Sequence, residues 1–229
     1  MKIVMIRHLK TPGNEKRQYI GRTDEGLSER AVQQFKEQLC CEKKEVQFGK
    51  EQEGCVDKSE SGSNSFKSYP QVERVVASPM KRCIQTAELI YPGKKIQTEE
   101  LLRECDFGLF EGKTYEDLKE NTDYIAWLES GGTIAFPEGE EQKAFRSRCV
   151  QGMKQQIDRL LIEGVESAAF VVHGGTIMAV LEEMAEPVDG VKQEFYHWQV
   201  ENGGGYRFEV RENEWKKGVH IFHEITKLY

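Results

Sequence analysis

The sequence has no long hydrophobic run, and no apolar stretch approaches the roughly 18 residues that a membrane-spanning helix needs. Its first residues become charged too early for the hydrophobic core of a signal peptide. Basic charge is also scarce, since 39 acidic residues against 32 Lys and Arg give a net charge of −7. Proteins that bind nucleic acids or acidic membranes generally need a basic surface. We therefore expect a cytoplasmic protein with no nucleic-acid and no membrane partner.

Regular cysteine spacing is missing as well. The six cysteines form no CxxC motif, and the five histidines are scattered along the chain. Zinc sites and disulfide frameworks usually show regular cysteine spacing. We therefore expect reduced thiols and no bound metal.

No internal repeat or long linker divides the 229 residues into halves, so one domain with a sizeable core is expected. Residues 42–68 differ from the rest, because charged residues, Gly and Ser dominate and few side chains are bulky and apolar. Such a composition buries too little apolar surface to offset the entropy of ordering. We predict a single domain over residues 1–229 with a mobile insertion at about 42–68.

Short apolar strands alternate with helices along the remaining chain. Strands are predicted near residues 3–6, 72–77, 168–172, 206–210 and 219–225. Helices are predicted from Ser28 to near Cys41, from Ser78-Pro79, from Phe136-Pro137 and after His173. This pattern predicts an α/β three-layer sandwich, in which a mostly parallel central sheet with an antiparallel edge has helices on both faces.

Unusual polar residues stand at the ends of three predicted strands. These ends carry Arg7-His8, Ser78-Pro79 with Arg82, and His173-Gly174. The carboxyl ends of parallel strands share one edge of a sheet, so these residues are expected to lie together. Two guanidiniums, two imidazoles and the N-termini of helices attract an anion, and phosphate fits best.

Such a cluster also predicts a reaction. The planar forks of Arg7 and Arg82 match phosphate oxygens two at a time, and Gly174 leaves room for a backbone N–H to approach. Nearby positive charge lowers the pKa of an imidazole from its reference value of about 6.5. A neutral His8 is then able to attack phosphorus.

Four motifs, in this order, resemble the histidine phosphatase superfamily, also called the phosphoglycerate mutase-like family. They are Arg7-His8 with Thr11 and Asn14, SPMKRCIQTAE with Arg82, ECDFGLFEG with Glu104, and VVHGGT with His173. The resemblance runs from Lys2 to about Ala185 and omits the predicted insertion. The segment from Tyr19 to Asp24 is further similar to the phosphatase branch, especially to members like α-ribazole phosphatase.

The resemblance implies that His8 is transiently phosphorylated while Arg7, Arg82 and His173 hold the phosphoryl oxygens. It also implies that Glu104 protonates the leaving alkoxide and then helps to activate water. Because arginines supply the positive charge, no cofactor is expected. The implied phosphate-binding residues are Arg7, His8, Asn14, Arg82, His173 and Gly174, and the implied substrate-binding residues are Thr11, Tyr19, Gly21 and Thr23.

Leu9 departs from the family pattern, which usually has glycine after the Arg-His pair. Its side chain is expected to narrow the pocket, to turn outward without effect, or to impair activity. Three other charged residues stay outside the predicted site. Arg103 is interpreted as pairing at the surface, Glu111 as a solvated carboxylate, and Glu140 as stabilising the N-terminus of the long helix.

The predicted function is hydrolysis of a small phosphorylated metabolite, with α-ribazole phosphate as the example that the family suggests. One alternative is a phosphoglycerate mutase-type isomerase, although Cys105 and Asp106 stand where mutases of the family have Arg and Tyr. The other is a phosphate-binding or interaction module without turnover, which Leu9 and the insertion suggest.

Overall fold

A mixed six-stranded sheet forms the centre of residues 1–48 and 69–228, the part of the chain that the computed structural model describes. The strands are β1 (Lys2–Arg7), β2 (Arg74–Ala77), β3 (Ile96–Thr98), β4 (Ser167–Val172), β5 (Gly205–Val210) and β6 (Phe222–Lys227). In the order β3-β2-β4-β1-β5-β6, the first four strands run parallel, and β5 and β6 join through antiparallel pairs. The predicted parallel sheet with an antiparallel edge is confirmed.

Helices connect these strands. The α-helices are α1 (Pro12–Glu15), α2 (Glu29–Phe48), α3 (Lys81–Ile90), α4 (Tyr115–Leu118), α5 (Thr122–Glu129), α6 (Gln142–Ile162), α7 (Gly174–Met184) and α8 (Glu212–Trp215). Short 3₁₀ helices span Glu100–Leu102, Gly108–Phe110 and Phe195–Trp198. Among the helices described here, none combines the length and the apolar character that crossing a membrane would require.

Alternate residues of the strands belong to two separate hydrophobic clusters. Ile3 and Met5 of β1 pack in one cluster with residues of α6 and α7, whereas Val4 and Ile6 pack in another with residues of α3. Successive side chains of a strand point to opposite faces of the sheet. Burying each such side chain contributes about 1.5–3 kcal/mol. The two clusters therefore fix helices on both faces, which confirms the predicted three-layer sandwich.

Helix α2 is longer than predicted. Ser28 begins it as predicted, since its Oγ accepts a hydrogen bond from the N–H of Ala31 at 3.1 Å. The predicted end near Cys41 is wrong, because the backbone stays helical to Phe48. Glu and Lys fill residues 42–45 and are good helix formers despite their charge. Residues 49–68 of the predicted insertion lie outside the described residues, and the single domain stays a prediction.

Helix α6 begins later than predicted. Its first residue is Gln142, not a residue directly after Phe136-Pro137. The intervening backbone hydrogen-bonds to another loop instead of entering the helix, since the N–H of Glu140 donates to the carbonyl oxygen of Asp106 at 2.9 Å. Long-range pairing therefore outweighs the local helix-start signal of the proline.

The parallel register brings three strand ends to one edge of the sheet. Arg7 of β1 lies opposite Val172 of β4, and Ala77 of β2 lies opposite Val171. The residues that follow these ends are His8, Ser78 and His173. The three predicted motifs therefore meet at the carboxyl edge of the sheet.

Candidate active site

His8 is buried at the end of β1, with 4% of its surface exposed. Its Nδ1 atom lies 2.7 Å from the carbonyl oxygen of Leu9. A carbonyl oxygen only accepts hydrogen bonds, so Nδ1 carries the proton and Nε2 of the neutral ring keeps its lone pair. Nε2 hydrogen-bonds to no residue that the structure describes. This arrangement leaves a nucleophilic nitrogen available to a ligand.

Burial and positive charge both keep His8 neutral. Burial lowers the pKa of His8 well below 6.5, and the guanidiniums of Arg82 and Arg7 lower it further, against the opposing hydrogen bond to Leu9. The ring of His173 lies edge-on at 5.2 Å between centroids. The direction of the pKa shift is the one predicted from the arginines, although burial is its larger cause.

His173 has protein partners on both ring nitrogens. Its Nε2 lies 2.8 Å from the Ser78 hydroxyl, and Arg82 Nε donates to its Nδ1 at 3.3 Å. Because a guanidinium only donates, Nδ1 accepts and Nε2 carries the ring proton. Ser78 does not cap α3 as predicted, since the helix begins at Lys81 with Met80 in the N-cap position. The pairing of Ser78 with His173 was not predicted from the sequence, although the position of Ser78 at the end of a strand was a signal for it.

Arg82 is fully buried, with 0% of its surface exposed. Its Nη1 donates to the carbonyl oxygen of Thr23 and its Nη2 to that of Gly21, each at 2.8 Å. Together with the bond from Nε to His173, three of the five guanidinium N–H groups are used. The remaining two are available to an acceptor. A buried cation is stable only when its charge is compensated, which favours an anionic ligand here.

Arg7 retains a buried donor. Its Nη1 donates to the carbonyl oxygen of Val200 at 2.7 Å, whereas its buried Nε has no hydrogen-bond partner within the described chain. The guanidinium lies against Gly174 at the start of α7, where a Cβ atom would come within 3.2 Å of Nε. Buried N–H groups are nearly always hydrogen-bonded. Arg7 Nε therefore fits an oxygen of an anion held at the N-terminus of this helix.

Glu104 lies beside the same helix N-terminus. Its Oε1 accepts from the N–H of Cys105 at 3.0 Å, and its Oε2 accepts from the N–H of Gly175 at 3.2 Å. Burial raises the pKa of Glu104 above 4.5, against the opposing effects of these hydrogen bonds and of Arg82 and Arg7. A carboxyl group that keeps its proton at higher pH suits the role of general acid.

A cavity of about 400 Å³ is lined by Glu104 together with Arg148 and Glu140. Its walls include the charged side chains Arg22, Arg103, Asp106 and Glu138. Arg22 and Asp106 form an ion pair across 3.4 Å. The cavity therefore carries charged side chains of both signs next to Glu104.

Leu9 packs away from the arginines. Its side chain is 8% exposed and belongs to a cluster with Ala31 and Phe35 of α2. Its N–H donates to the Thr86 hydroxyl at 3.0 Å, and this hydroxyl donates to the carbonyl oxygen of Arg82 at 2.7 Å. Of the three outcomes expected for a leucine after the Arg-His pair, the outward position is the one observed.

We expect Leu9→Gly to lower the free energy of unfolding by about 2–5 kcal/mol, the usual cost of truncating a large buried side chain. Binding of inorganic phosphate is expected to stay unchanged. Urea unfolding measures the first effect, and the phosphate-induced rise in Tm measures the second. Leu128→Ala is a control on an exposed leucine, with an expected cost within about 0.5 kcal/mol. Tighter phosphate binding by Leu9→Gly would show that the leucine obstructs the site.

Thr11 and Asn14 cap the short helix α1. The Thr11 hydroxyl accepts from the N–H of Asn14 at 3.1 Å, and Asn14 Oδ1 accepts from the N–H of Thr11 at 3.3 Å. Asn202 donates to the same Oδ1 and to the carbonyl oxygen of His8 at 2.9 Å. Because both neighbours donate to Oδ1, the NH₂ group of Asn14 is the part left for an anion. Asn202 was missed, since it is distant in sequence.

Glu111 holds the segment that contains Tyr19, Gly21 and Thr23. Its carboxylate accepts from the N–H of Gly21 at 3.0 Å and from the hydroxyl of Thr23 at 2.7 Å. Interpreting Glu111 as a solvated carboxylate was wrong. Gly21 and Thr23 contact the site with their carbonyl oxygens, which accept hydrogen bonds from the buried guanidinium of Arg82. The Tyr19 hydroxyl instead hydrogen-bonds to that of Tyr124 at 2.8 Å.

The positive charge of the site comes from its arginines. Among the described residues, no three His, Cys, Asp or Glu side chains converge in an arrangement able to hold a metal ion. Arg7, Arg82 and the N-terminus of α7 provide the donors around His8. They suit a tetrahedral anion such as a phosphoryl group.

Comparison with known proteins identifies the family. The sequence profile of the Histidine phosphatase superfamily (branch 1) matches residues 62–220. Arg82, Glu104 and His173 lie inside this range, whereas Arg7-His8 precedes it.

Solved structures share the fold over most of the chain. The α-ribazole phosphatase of Shigella flexneri has a TM-score of 0.66 at 19% identity, covering 93% of this chain and 92% of its own. The phosphoglycerate mutase of Thermus thermophilus has a TM-score of 0.58 at 22% identity, covering 91% and 93%. At these identities the likeness shows the fold alone.

Curated relatives match a shorter part of the chain. A broad-specificity phosphatase of Saccharomyces cerevisiae is 29% identical over 115 residues, covering 48% of each protein. The chain spans about half the length of the curated relatives it matches. The family profile covers well over half of this chain, which confirms the resemblance seen in its motifs. The protein belongs to the histidine phosphatase superfamily, branch 1.

Proposed function

We propose that this protein is a phosphomonoesterase that hydrolyses a small phosphorylated metabolite through a phosphohistidine at His8. The environment of His8 Nε2 carries the proposal. This nitrogen belongs to a buried neutral ring whose proton is fixed on Nδ1, and two arginines with N–H groups still available flank the ring. A phosphoryl group complements these donors in charge and in shape.

In the first step, His8 Nε2 attacks phosphorus. The P–N bond forms as the P–O bond to the alcohol breaks, and the proton of the Glu104 carboxyl moves to the departing oxygen. Arg7 and Arg82 neutralise charge on the other phosphoryl oxygens in the transition state. The hydrogen bond from Nδ1 to Leu9 stabilises the positive charge that develops on the ring.

In the second step, water attacks the phosphohistidine. The Glu104 carboxylate takes a proton from this water, the P–N bond breaks and its electron pair returns to Nε2. Inorganic phosphate leaves, and Glu104 is protonated again for the next cycle. A covalent intermediate thus replaces one difficult displacement by two easier ones.

The leaving group of the substrate has to lie next to Glu104. The cavity at this position is lined by charged side chains, which favours a polar alcohol over an apolar one. Solved structures with this fold include α-ribazole phosphatases. α-Ribazole 5′-phosphate is therefore one substrate to test beside simpler monoesters.

Product analysis tests the proposed function. We expect phosphate release from p-nitrophenyl phosphate and from polar alkyl phosphates, at equal rates with and without EDTA, because guanidiniums hold the phosphoryl oxygens. Incubation with 3-phosphoglycerate is expected to yield no 2-phosphoglycerate. After an alkaline quench, which preserves phosphohistidine, mass spectrometry is expected to find one phosphate on the peptide containing His8.

Other outcomes would identify the alternatives. Conversion of 3-phosphoglycerate to 2-phosphoglycerate would show a mutase. A phosphate-induced rise in Tm without turnover of any monoester would show a binding module. Loss of activity with EDTA would show that the arginines do not suffice and that a metal takes part.

A further inference from the structure

All N–H groups of the Arg148 guanidinium, on α6, donate hydrogen bonds to the loop around Glu104. Its Nη1 donates to the carbonyl oxygens of Leu101 at 2.9 Å and Arg103 at 2.7 Å, and its Nη2 donates to that of Glu104 at 2.9 Å. Nε and Nη2 also donate to the two carboxylate oxygens of Glu140, at 2.6 and 2.7 Å. These five bonds occupy the five N–H groups of the side chain.

The arginines around His8 differ from Arg148. Arg7 keeps a buried Nε that pairs with nothing in residues 1–48 or 69–228, and Arg82 keeps two N–H groups. Those donors are available to a ligand, whereas the donors of Arg148 are committed to protein oxygens. Arg148 is therefore equipped to fix the position of a segment and not to bind phosphate.

Glu140 connects Arg148 to a second part of the loop. The two side chains are only 21% and 20% exposed, and the N–H of Glu140 donates to the carbonyl oxygen of Asp106 at 2.9 Å. A bidentate pair shielded from water holds its geometry more firmly than an exposed pair. The Arg148–Glu140 pair thus ties α6 to the backbone on both sides of Cys105.

The Glu104 carboxylate has few anchors of its own. Its Oε1 bonds to the N–H of Cys105, which is the next residue and moves with the same loop. Its Oε2 bonds to the N–H of Gly175 in α7. The position of this carboxyl group therefore depends on where the backbone of residues 101–104 is held.

We propose that Arg148, with Glu140, is a positioning residue that holds the Glu104 carboxyl where it protonates the leaving alkoxide. The inference rests on the proposed function and adds to it a residue whose guanidinium N–H groups are all bound to oxygens of the protein. Lysine does not replace arginine in this place, because an ammonium lacks the planar five-donor fork. Losing the planar guanidinium is therefore expected to slow the step in which Glu104 protonates the leaving alkoxide.

The experiment compares two leaving groups. p-Nitrophenolate departs without a proton, whereas the alkoxide of glycerol 2-phosphate needs one. For Arg148→Lys we expect kcat/KM to fall about 10²-fold with glycerol 2-phosphate, the cost of misplacing a catalytic group by roughly 1 Å, and less than about 3-fold with p-nitrophenyl phosphate. Glu140→Gln is expected to show the same selectivity.

Arg146→Lys is the matched control. Arg146 also lies on α6, pairs with Glu182 at 2.7 Å and stacks over the Phe195 ring at 4.2 Å. Its replacement by lysine makes the same chemical change on the same helix, at an ion pair outside the loop that carries Glu104. We expect the ratio of the two kcat/KM values to match that of the parent protein.

Equal losses with both substrates in Arg148→Lys would overturn the inference, because damage to the fold or to phosphoryl binding does not distinguish leaving groups. Unchanged kinetics in the two variants would overturn it as well. Should Arg148→Lys fail to fold, the ratio measured for Glu140→Gln decides. A parent protein that releases phosphate from neither substrate overturns the proposed function itself, which is a distinct result.

Discussion

His8→Ala is expected to lower kcat for phosphate release by on the order of 10⁴-fold or more, because the variant has no nitrogen to receive the phosphoryl group. We expect the remaining donors to bind and polarise the ester without opening the covalent route. Steady-state release of inorganic phosphate measures this loss. The phosphorylated peptide seen after an alkaline quench is expected to disappear with it.

The same variant is expected to keep its affinity for inorganic phosphate. Arg7 and Arg82 retain their available donors when the imidazole is removed. Phosphate should therefore raise the Tm of both the parent and His8→Ala. His197→Ala, which changes an exposed histidine, is the control with full turnover. Turnover that survives in His8→Ala would remove the proposed nucleophile.

The acidic side of the pH profile tests the environment of His8. Burial and Arg82 hold the pKa of His8 well below 6.5, so the neutral ring persists where an ordinary histidine is protonated. Since kcat/KM reports the free enzyme, it is expected to fall only as the pH drops well below 6.5. An acidic limb at or above that value would contradict a buried, neutral His8, provided that it stays the same with substrates whose phosphate groups ionise at different pH.

The strand ends of the site were predictable from the sequence. Apolar runs ending in Arg7-His8 and His173 specify strands, and parallel pairing places the ends of those strands at one edge of the sheet. The glycine at position 174 was equally predictable, because the Arg7 guanidinium lies where a side chain would otherwise be. These features depend on local pattern and on general rules of sheet topology.

The supporting residues were not predictable, because their partners are distant along the chain. Ser78 has the local signature of a helix cap, yet its hydroxyl meets a ring 95 positions away. Glu140 has the signature of a helix N-terminus, yet it pairs with Arg148. A single sequence reports local propensity, whereas these contacts exist only after the layers of the fold have packed.

Glu104→Gln is expected to lower kcat/KM for glycerol 2-phosphate by about 10²–10⁴-fold, because an amide has no acidic proton to give to the alkoxide. The loss of kcat/KM with p-nitrophenyl phosphate is expected to be much smaller, because kcat/KM covers only the steps up to release of the alcohol and p-nitrophenolate leaves without a proton. In the proposed second step Glu104 acts again, as the base. The variant is therefore expected to show a burst of p-nitrophenol and to accumulate phosphohistidine.

We expect the basic side of the pH profile to report ionisation of the same carboxyl group. Burial raises the pKa of Glu104, so its protonated form persists above pH 4.5 and is lost as the pH rises through the raised value. The resulting decline of kcat/KM with glycerol 2-phosphate is expected to be absent in Glu104→Gln. Glu116→Gln, which changes an exposed carboxylate paired with Lys119, is expected to keep the parent profile.

Combining Glu104→Gln with Arg148→Lys separates positioning from an independent role. If Arg148 acts through the Glu104 carboxyl, its replacement has nothing further to misplace once that carboxyl is gone. We therefore expect the double variant to match Glu104→Gln in kcat/KM for glycerol 2-phosphate, a non-additive result typical of coupled residues. Losses that multiply would show that Arg148 contributes to turnover by a route other than the general acid. The pH profile of kcat/KM would then be the remaining test of proton transfer by Glu104.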